Sequence, residues 1–173
     1  MLGRRRRLLG LLLAALAAAA ATLVVGSPAQ ATTYYWRTMN NYNNGKCVDV
    51  RGEDSYHVQQ WECVGNDNQR WRFEYYLTNS VGQEYYRIIN KRTNKCLSVP
   101  GASLNSGVQL VVLPCTIDVS QFWTFRSPAS TYTAVVNFYS YICMEVWGGS
   151  SGNGAVVQQN SCNGTGAQLF ALH

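Results

Sequence analysis

Apolar and polar residues along this chain fall into short runs rather than helical stripes. Tyr85-Tyr86-Arg87-Ile88-Ile89, Ala134-Val135-Val136 and Ala155-Val156-Val157 are β-branched or aromatic segments separated by clusters of Gly, Asn and Ser. Residues of these types suit the pleated, half-buried surface of a sheet, and the intervening clusters suit turns. Beyond the N-terminal segment, no stretch sustains apolar positions at i, i+3 and i+4 for three turns, so helix is confined to single turns. The pattern predicts an all-β fold.

The pattern also repeats. Aligned on Cys47, Cys96 and Cys143, the chain shows three copies of about 47 to 49 residues. Eleven positions before each cysteine stands an aromatic (Trp36, Tyr85, Tyr132), and six before stands an asparagine (Asn41, Asn90, Asn137). Val48 and Val50, Leu97 and Val99, and Met144 and Val146 follow at one and three positions after. Gly52, Gly101 and Gly148 come five after, at a point where a turn needs positive φ or the backbone is closely approached. A second cysteine then appears in each copy (Cys63, Cys115, Cys162), followed at six and eight positions by Gln69 and Trp71, Gln121 and Trp123, and Gln168 and Phe170. The copies run over approximately residues 34–80, 81–128 and 129–173.

The N-terminus reads as an export signal. Arg4 to Arg7 form a cationic region, Leu8 to Val25 an Ala/Leu-rich apolar one, and Ala29-Gln30-Ala31 a cleavage site. A retained membrane anchor is the competing reading, but the cleavage site follows directly; general secretion is expected, with twin-arginine export as the variant route. Removal of residues 1–31 takes four of the 14 Lys and Arg, leaving ten against nine Asp and Glu. A nearly neutral domain of residues 32–173 offers no basic footprint for nucleic acid and no expected attachment to membrane.

Six cysteines in an exported chain suggest three disulfides, for which 15 connectivities exist. Zinc is the rival, but the closest cysteines are 16 positions apart and only His57 and His173 could assist, unlike the short spacings of zinc ligands. The repeat register selects Cys47 with Cys63, Cys96 with Cys115, and Cys143 with Cys162, one disulfide within each copy. No metal or other cofactor is expected.

Gln69-Arg70-Trp71, Gln121-Phe122-Trp123 and Gln168-Leu169-Phe170, each after a C-[VLM]-x-V segment and a second cysteine, resemble the Q-x-W signature of ricin-type β-trefoil lectins and the related carbohydrate-binding modules of xylanases. The resemblance spans essentially the whole chain after the signal. It implies a β-trefoil of three pseudo-equivalent lobes, with twelve strands, six in a barrel and six in a hairpin cap. It also implies a sugar pocket made of an aspartate two after the first cysteine, a glutamine and an aromatic four and two before the second, and an asparagine before Q-x-W.

Features common to all three copies belong to the shared fold, so Trp71, Trp123 and Phe170 are expected in the core, and Gln69, Gln121 and Gln168 on strand backbone. Only the first copy carries the full pocket set, Asp49, Gln59, Trp61 and Asn68, with Gln69 positioning its polar members. A carboxylate accepts hydrogen bonds from adjacent sugar hydroxyls, amides donate and accept, and an indole offers a flat face to the C–H side of a sugar ring. The second copy has Ser98, Val111, Leu113 and Ser120 at these positions, which predicts no site. The third keeps Glu145 and Gln158 but has Asn160 and Ala167, so it is expected to be silent, with Trp147 as the one substitute platform.

The first copy's cysteines are 16 apart where the others are 19 apart, so the loop over its pocket is shorter, with His57 as a candidate rim contact. No catalytic motif appears, and the acids near Asp49 (Glu53, Asp54 and Glu62) read as solvated loop residues. The expectation is an extracellular, monomeric, non-enzymatic lectin for polysaccharide or glycan, with galactose-, xylose- or arabinose-type sugars as candidates. The alternative is a β-trefoil protein-interaction module, an inhibitor or toxin-associated subunit, with a vestigial sugar site.

Overall fold

The computed structural model describes residues 35–126 and 131–173; the export segment expected over residues 1–31 lies outside the described residues. The strands are β1 (Met39–Asn41), β2 (Cys47–Val50), β3 (Val58–Trp61), β4 (Trp71–Thr78), β5 (Glu84–Asn90), β6 (Cys96–Ser98), β7 (Val108–Gln109), β8 (Val111–Leu113), β9 (Phe122–Arg126), β10 (Tyr132–Asn137), β11 (Cys143–Val146), β12 (Ala155–Asn160) and β13 (Leu169–Leu172). Helix among the described residues is limited to 3₁₀ turns of three residues, such as Asp67–Gln69. The expected all-β class is what forms.

Six strands close into a ring. Antiparallel pairing runs from β1 to β13, β10, β9, β5 and β4 in turn. Arg37 returns the circuit to the start, exchanging two backbone hydrogen bonds of 2.8 Å with Trp71. A sheet that closes on itself leaves few unpaired edges, which short strands need in water.

The remaining strands form three hairpins, β2/β3, β6/β8 and β11/β12. β3 pairs with β12, β12 with β7, and His57 bridges to Val111. The thirteenth strand, beyond the twelve implied by the family resemblance, arises at Leu110. There one run switches partner, with β7 on β12 and β8 on β6. Leu110 is fully buried, and its backbone instead bonds Val157 O at 2.9 Å and Val58 N at 3.0 Å.

Trp71, Trp123 and Phe170 are fully buried, among Met39, Val50, Val58, Ile88, Leu97, Val135, Met144 and Val157. The indole N–H of Trp71 donates to Val48 O and that of Trp123 to Leu97 O, each at 3.0 Å, so neither polar atom is stranded in the core. Gln69, Gln121 and Gln168 are buried and hydrogen-bond backbone, but that of the loops after β3, β8 and β12 rather than the strand backbone expected, because the chain around each second cysteine has no ladder partner there. Their Oε1 atoms accept from Val64 N, Thr116 N and Asn163 N at 2.8 Å. Their Nε2 atoms donate to Glu62 O, Pro114 O and Ser161 O at 2.7, 3.0 and 2.9 Å.

The disulfides join Cys47 to Cys63, Cys96 to Cys115 and Cys143 to Cys162. Closing loops of this length restricts the unfolded chain by about 3 kcal/mol each in the chain-entropy model. The glycines five residues past Cys47, Cys96 and Cys143 serve two purposes. Gly101 and Gly148 take φ of 62° and 60°, whereas a Cβ on Gly52 would stand 3.3 Å from the Arg92 guanidinium.

Candidate functional site

In the β2/β3 hairpin, Asp49 stands opposite Gln59, and Trp61 opposite Cys47. Side chains alternate along a strand and paired residues project to the same side, so Gln59 and Trp61 share one face of β3 with Asp49 on β2. Asp49 is only 2% exposed, which a carboxylate tolerates only with hydrogen-bond partners. Gln59 Nε2 donates to its Oδ1 at 3.0 Å. Asn68, delivered by the 3₁₀ turn Asp67–Gln69, donates to its Oδ2 at 2.5 Å and to Val50 O at 3.3 Å. Burial raises the Asp49 pKa above its ordinary value, against the lowering pull of the Gln59 and Gln69 amides and the charge of Arg92.

These groups open onto a cleft of about 410 Å³ whose wall includes Asp49, Gln59, Trp61 and Asn68. Trp61 is 40% exposed, so part of its ring is free for contact, unlike the fully buried Trp71 ten residues on. Gln69 stands apart from the other four candidates. It is fully buried and does not line the cleft, but holds the backbone of Val64, Gly65 and Glu62 and bears on Asp49 through its amide.

The sequence did not single out Arg51 or Arg92, and Glu53 was read only as a solvated loop acid. Arg51 and Glu53 line the cleft. A signal was available for Arg51, since period-two reasoning from Asp49 points two residues on, although the strand itself ends at Val50. Arg92 lies 43 positions from Asp49, and nothing local announces it. It reaches across from the β5–β6 turn, where its Nη2 donates to Gly52 O at 3.2 Å and its backbone N to Asp67 O at 3.1 Å. Asn90 and Lys91 tighten the same junction. Asn90 Nδ2 donates to Asn68 O at 2.9 Å, and Lys91 Nζ pairs with Asp67 at 2.8 Å. The turn that presents Asn68 is therefore held from a neighbouring segment of the fold.

His57, the candidate rim contact, does not line the cleft. It is tied to Asp54 by a 2.7 Å contact from Nδ1, and Asp54 Oδ1 also accepts from the backbone N of Tyr56 and His57 at 2.8 and 3.0 Å. The His57 hydrogen bond is the main reason the Asp54 pKa is lowered to about 2. This knot shapes the short β2–β3 loop, where the β6–β7 and β11–β12 connections instead carry the 3₁₀ turns Pro100–Ala102 and Trp147–Gly149.

At the corresponding place on β11/β12, Glu145 stands opposite Gln158 beside a smaller cleft of about 290 Å³. Glu145 accepts from Gln158 and Asn160 on Oε1 at 3.1 and 2.9 Å, and from Gln168 on Oε2 at 2.8 Å. Trp147 is 63% exposed but is not part of that cleft's wall. On β6/β8, Ser98 faces Val111; its hydroxyl turns back to Cys96 O at 2.8 Å, and no carboxylate is present.

Comparison with known proteins agrees with this architecture. The chain matches the family model described as ricin-type beta-trefoil lectin domain-like, over residues 23–107 and 74–160. Its fold is similar to the designed threefold-symmetric protein ThreeFoil, at 26% identity and a TM-score of 0.73, covering 79% of this chain and 96% of that one. It is also similar to a Macrolepiota procera ricin B-like lectin solved with lactose, at 18% identity and a TM-score of 0.65, covering 83% and 98%. A third likeness is to an exo-β-1,3-galactanase from Clostridium thermocellum, at 23% identity and a TM-score of 0.72; it covers 81% of this chain but only 30% of that enzyme. Among curated proteins none matches in sequence. With the family model matching most of its length, the chain belongs to the ricin-type β-trefoil lectin domain-like family.

Proposed function

We propose that this protein is a secreted, non-enzymatic lectin that binds carbohydrate in the cleft between β2 and β3. In this reading residues 1–31 are removed on export, and residues 32–173 form a monomeric trefoil of three pseudo-equivalent lobes, each with its own disulfide. One lobe binds.

The observation that carries the reading is the combination at one cleft of a buried carboxylate fixed by amides with a half-exposed indole beside it. Asp49 would accept from adjacent sugar hydroxyls, Gln59 and Asn68 would complete the polar edge, and Trp61 would take the apolar face of the ring. Fixing the carboxylate beforehand lowers the ordering cost of binding. A shallow, open pocket that engages a single sugar ring binds a monosaccharide weakly, with a Kd on the order of 0.1 to 10 mM.

Galactose-, xylose- and arabinose-type glycans are the candidate ligands. A glycan array screened with the protein and with Trp61→Ala tests the reading. Binding by the parent that Trp61→Ala loses while still folded supports it. Binding retained by Trp61→Ala would move the site elsewhere, and a parent that binds no glycan would favour a protein-interaction role.

A further inference from the structure

The proposed sugar cleft carries charge that neutral-sugar recognition does not use. Arg51 lines it, two residues past Asp49 and just beyond the end of β2, where its backbone N meets His57 O at the end of the hairpin away from Trp61. Its backbone is fixed, with N donating to His57 O and O accepting from Ser55 N, both at 2.9 Å. Its guanidinium makes no hydrogen bond and no ion pair among the described residues.

The charges around it are otherwise spoken for. Asp54 is tied to His57, Asp67 to Lys91, and Asp49 to its amides. Glu53 is the acid left on the cleft wall, which it shares with Arg51, and Arg92 is anchored on the neighbouring Gly52 O. The position is also peculiar to this lobe. Four residues past the first cysteine, the other two copies have Pro100 and Trp147, so the fold itself does not require an arginine there.

We propose that the cleft is selective for acidic glycans, with the ring between Trp61 and Asp49 and a carboxylate or sulfate substituent on the Arg51 guanidinium. This inference rests on the sugar-binding reading above. A planar guanidinium meets either anion with paired, charge-assisted hydrogen bonds, and a half-buried site screens that attraction less than open water does. Glu53 on the same wall opposes it through its charge.

The test is calorimetric titration of the full chain with three disaccharides: galactobiose, digalacturonic acid and galactobiose 6-sulfate, at low and at high salt. At least one acidic ligand should bind about tenfold more tightly than galactobiose at low salt, with the advantage shrinking as salt rises. Whichever acid shows the preference identifies carboxylate or sulfate as the anion recognised. In Arg51→Gln, checked for an unchanged melting temperature, the ratio of acidic to neutral affinity should fall to about one. In Glu53→Gln it should rise, as repulsion of the anion is relieved; the fall of the ratio in Arg51→Gln, rather than of both affinities alike, is the change that a merely structural Arg51 would not produce. Galactobiose binding as tightly as both acids would overturn the acidic preference while leaving the sugar site standing. Preference that survives Arg51→Gln would overturn the assignment to Arg51, and no binding of any of the three would count against the sugar-binding reading itself.

Discussion

The clefts at Asp49 and Glu145 are built on corresponding hairpins, β2/β3 and β11/β12, and end differently. In both, a buried acid on the first strand stands opposite a glutamine on the second and accepts from amides. At position 61 the strand offers an indole that is 40% exposed; at 160 it offers an amide that turns inward and donates to Glu145 at 2.9 Å. The acid's environment differs too. Asn68 on the rim bridges Asp49 and Val50 O, whereas Ala167 occupies the equivalent place and can donate nothing from its side chain. A buried acid with amide partners can thus be a device of the fold; an accessible apolar face beside it is what a sugar ring needs in addition.

The largest expected effect removes the common frame. Trp71→Ala should cost about 3 to 5 kcal/mol, as truncation of a buried aromatic does, and would also leave Val48 O without its donor. Chemical denaturation or failure of the variant to fold would register it, and a loss below about 1 kcal/mol would remove Trp71 from the core.

Next in size, Trp61→Ala should abolish detectable glycan binding while changing stability by less than about 1 kcal/mol, since the ring is already partly in water. Paired with Trp71→Ala, it separates binding from folding across two tryptophans ten residues apart. Denaturant melts and array binding on the same samples read both quantities.

Acidification sharpens the same contrast. A sugar hydroxyl needs the ionised Asp49, whose pKa lies above its ordinary 3.8, so affinity should fall as pH drops through a midpoint above 3.8. The stability sign is opposite. A carboxyl with a raised folded pKa contributes stability below its unfolded pKa and loses that contribution as pH rises through the folded one. Asp49→Asn should therefore bind no sugar at pH 7 yet melt no earlier than the parent by more than about 1 kcal/mol equivalent. Titrations from pH 7 down to pH 3 should show affinity declining smoothly; a midpoint below 3.8 would contradict the desolvated carboxylate.

The smallest effects are expected at the other cleft. Trp147→Ala should leave glycan affinity within about twofold, because the platform lies outside a cleft whose acid is already engaged by protein amides. Surface plasmon resonance on an immobilised ligand would resolve that margin, and a clear loss would show that the cleft at Glu145 binds.

Much of this architecture was legible because it is written three times. The buried Trp71, Trp123 and Phe170, the glutamines on backbone and the disulfide pairs all follow from a register that a single copy could not have supplied. Four of the residues lining the cleft, Asp49, Gln59, Trp61 and Asn68, were legible by their difference from the other copies. What stayed hidden arises between segments far apart in sequence. Arg92 on Gly52 and Asn90 on Asn68 depend on how the copies pack, and the broken strand at Leu110 depends on a change of partner that no local pattern records. Arg51 was within reach of period-two reasoning, and His57 was assigned to the rim because its ring contact with Asp54 has no signature beyond i, i+3 proximity.

The central claim, one sugar site at Asp49 and Trp61, is tested most directly by calorimetric titration of the protein with a monosaccharide that the array identifies. The account predicts a stoichiometry near one and no heat of binding from folded Trp61→Ala. A stoichiometry of two or three, or binding heat that survives in Trp61→Ala, would contradict it.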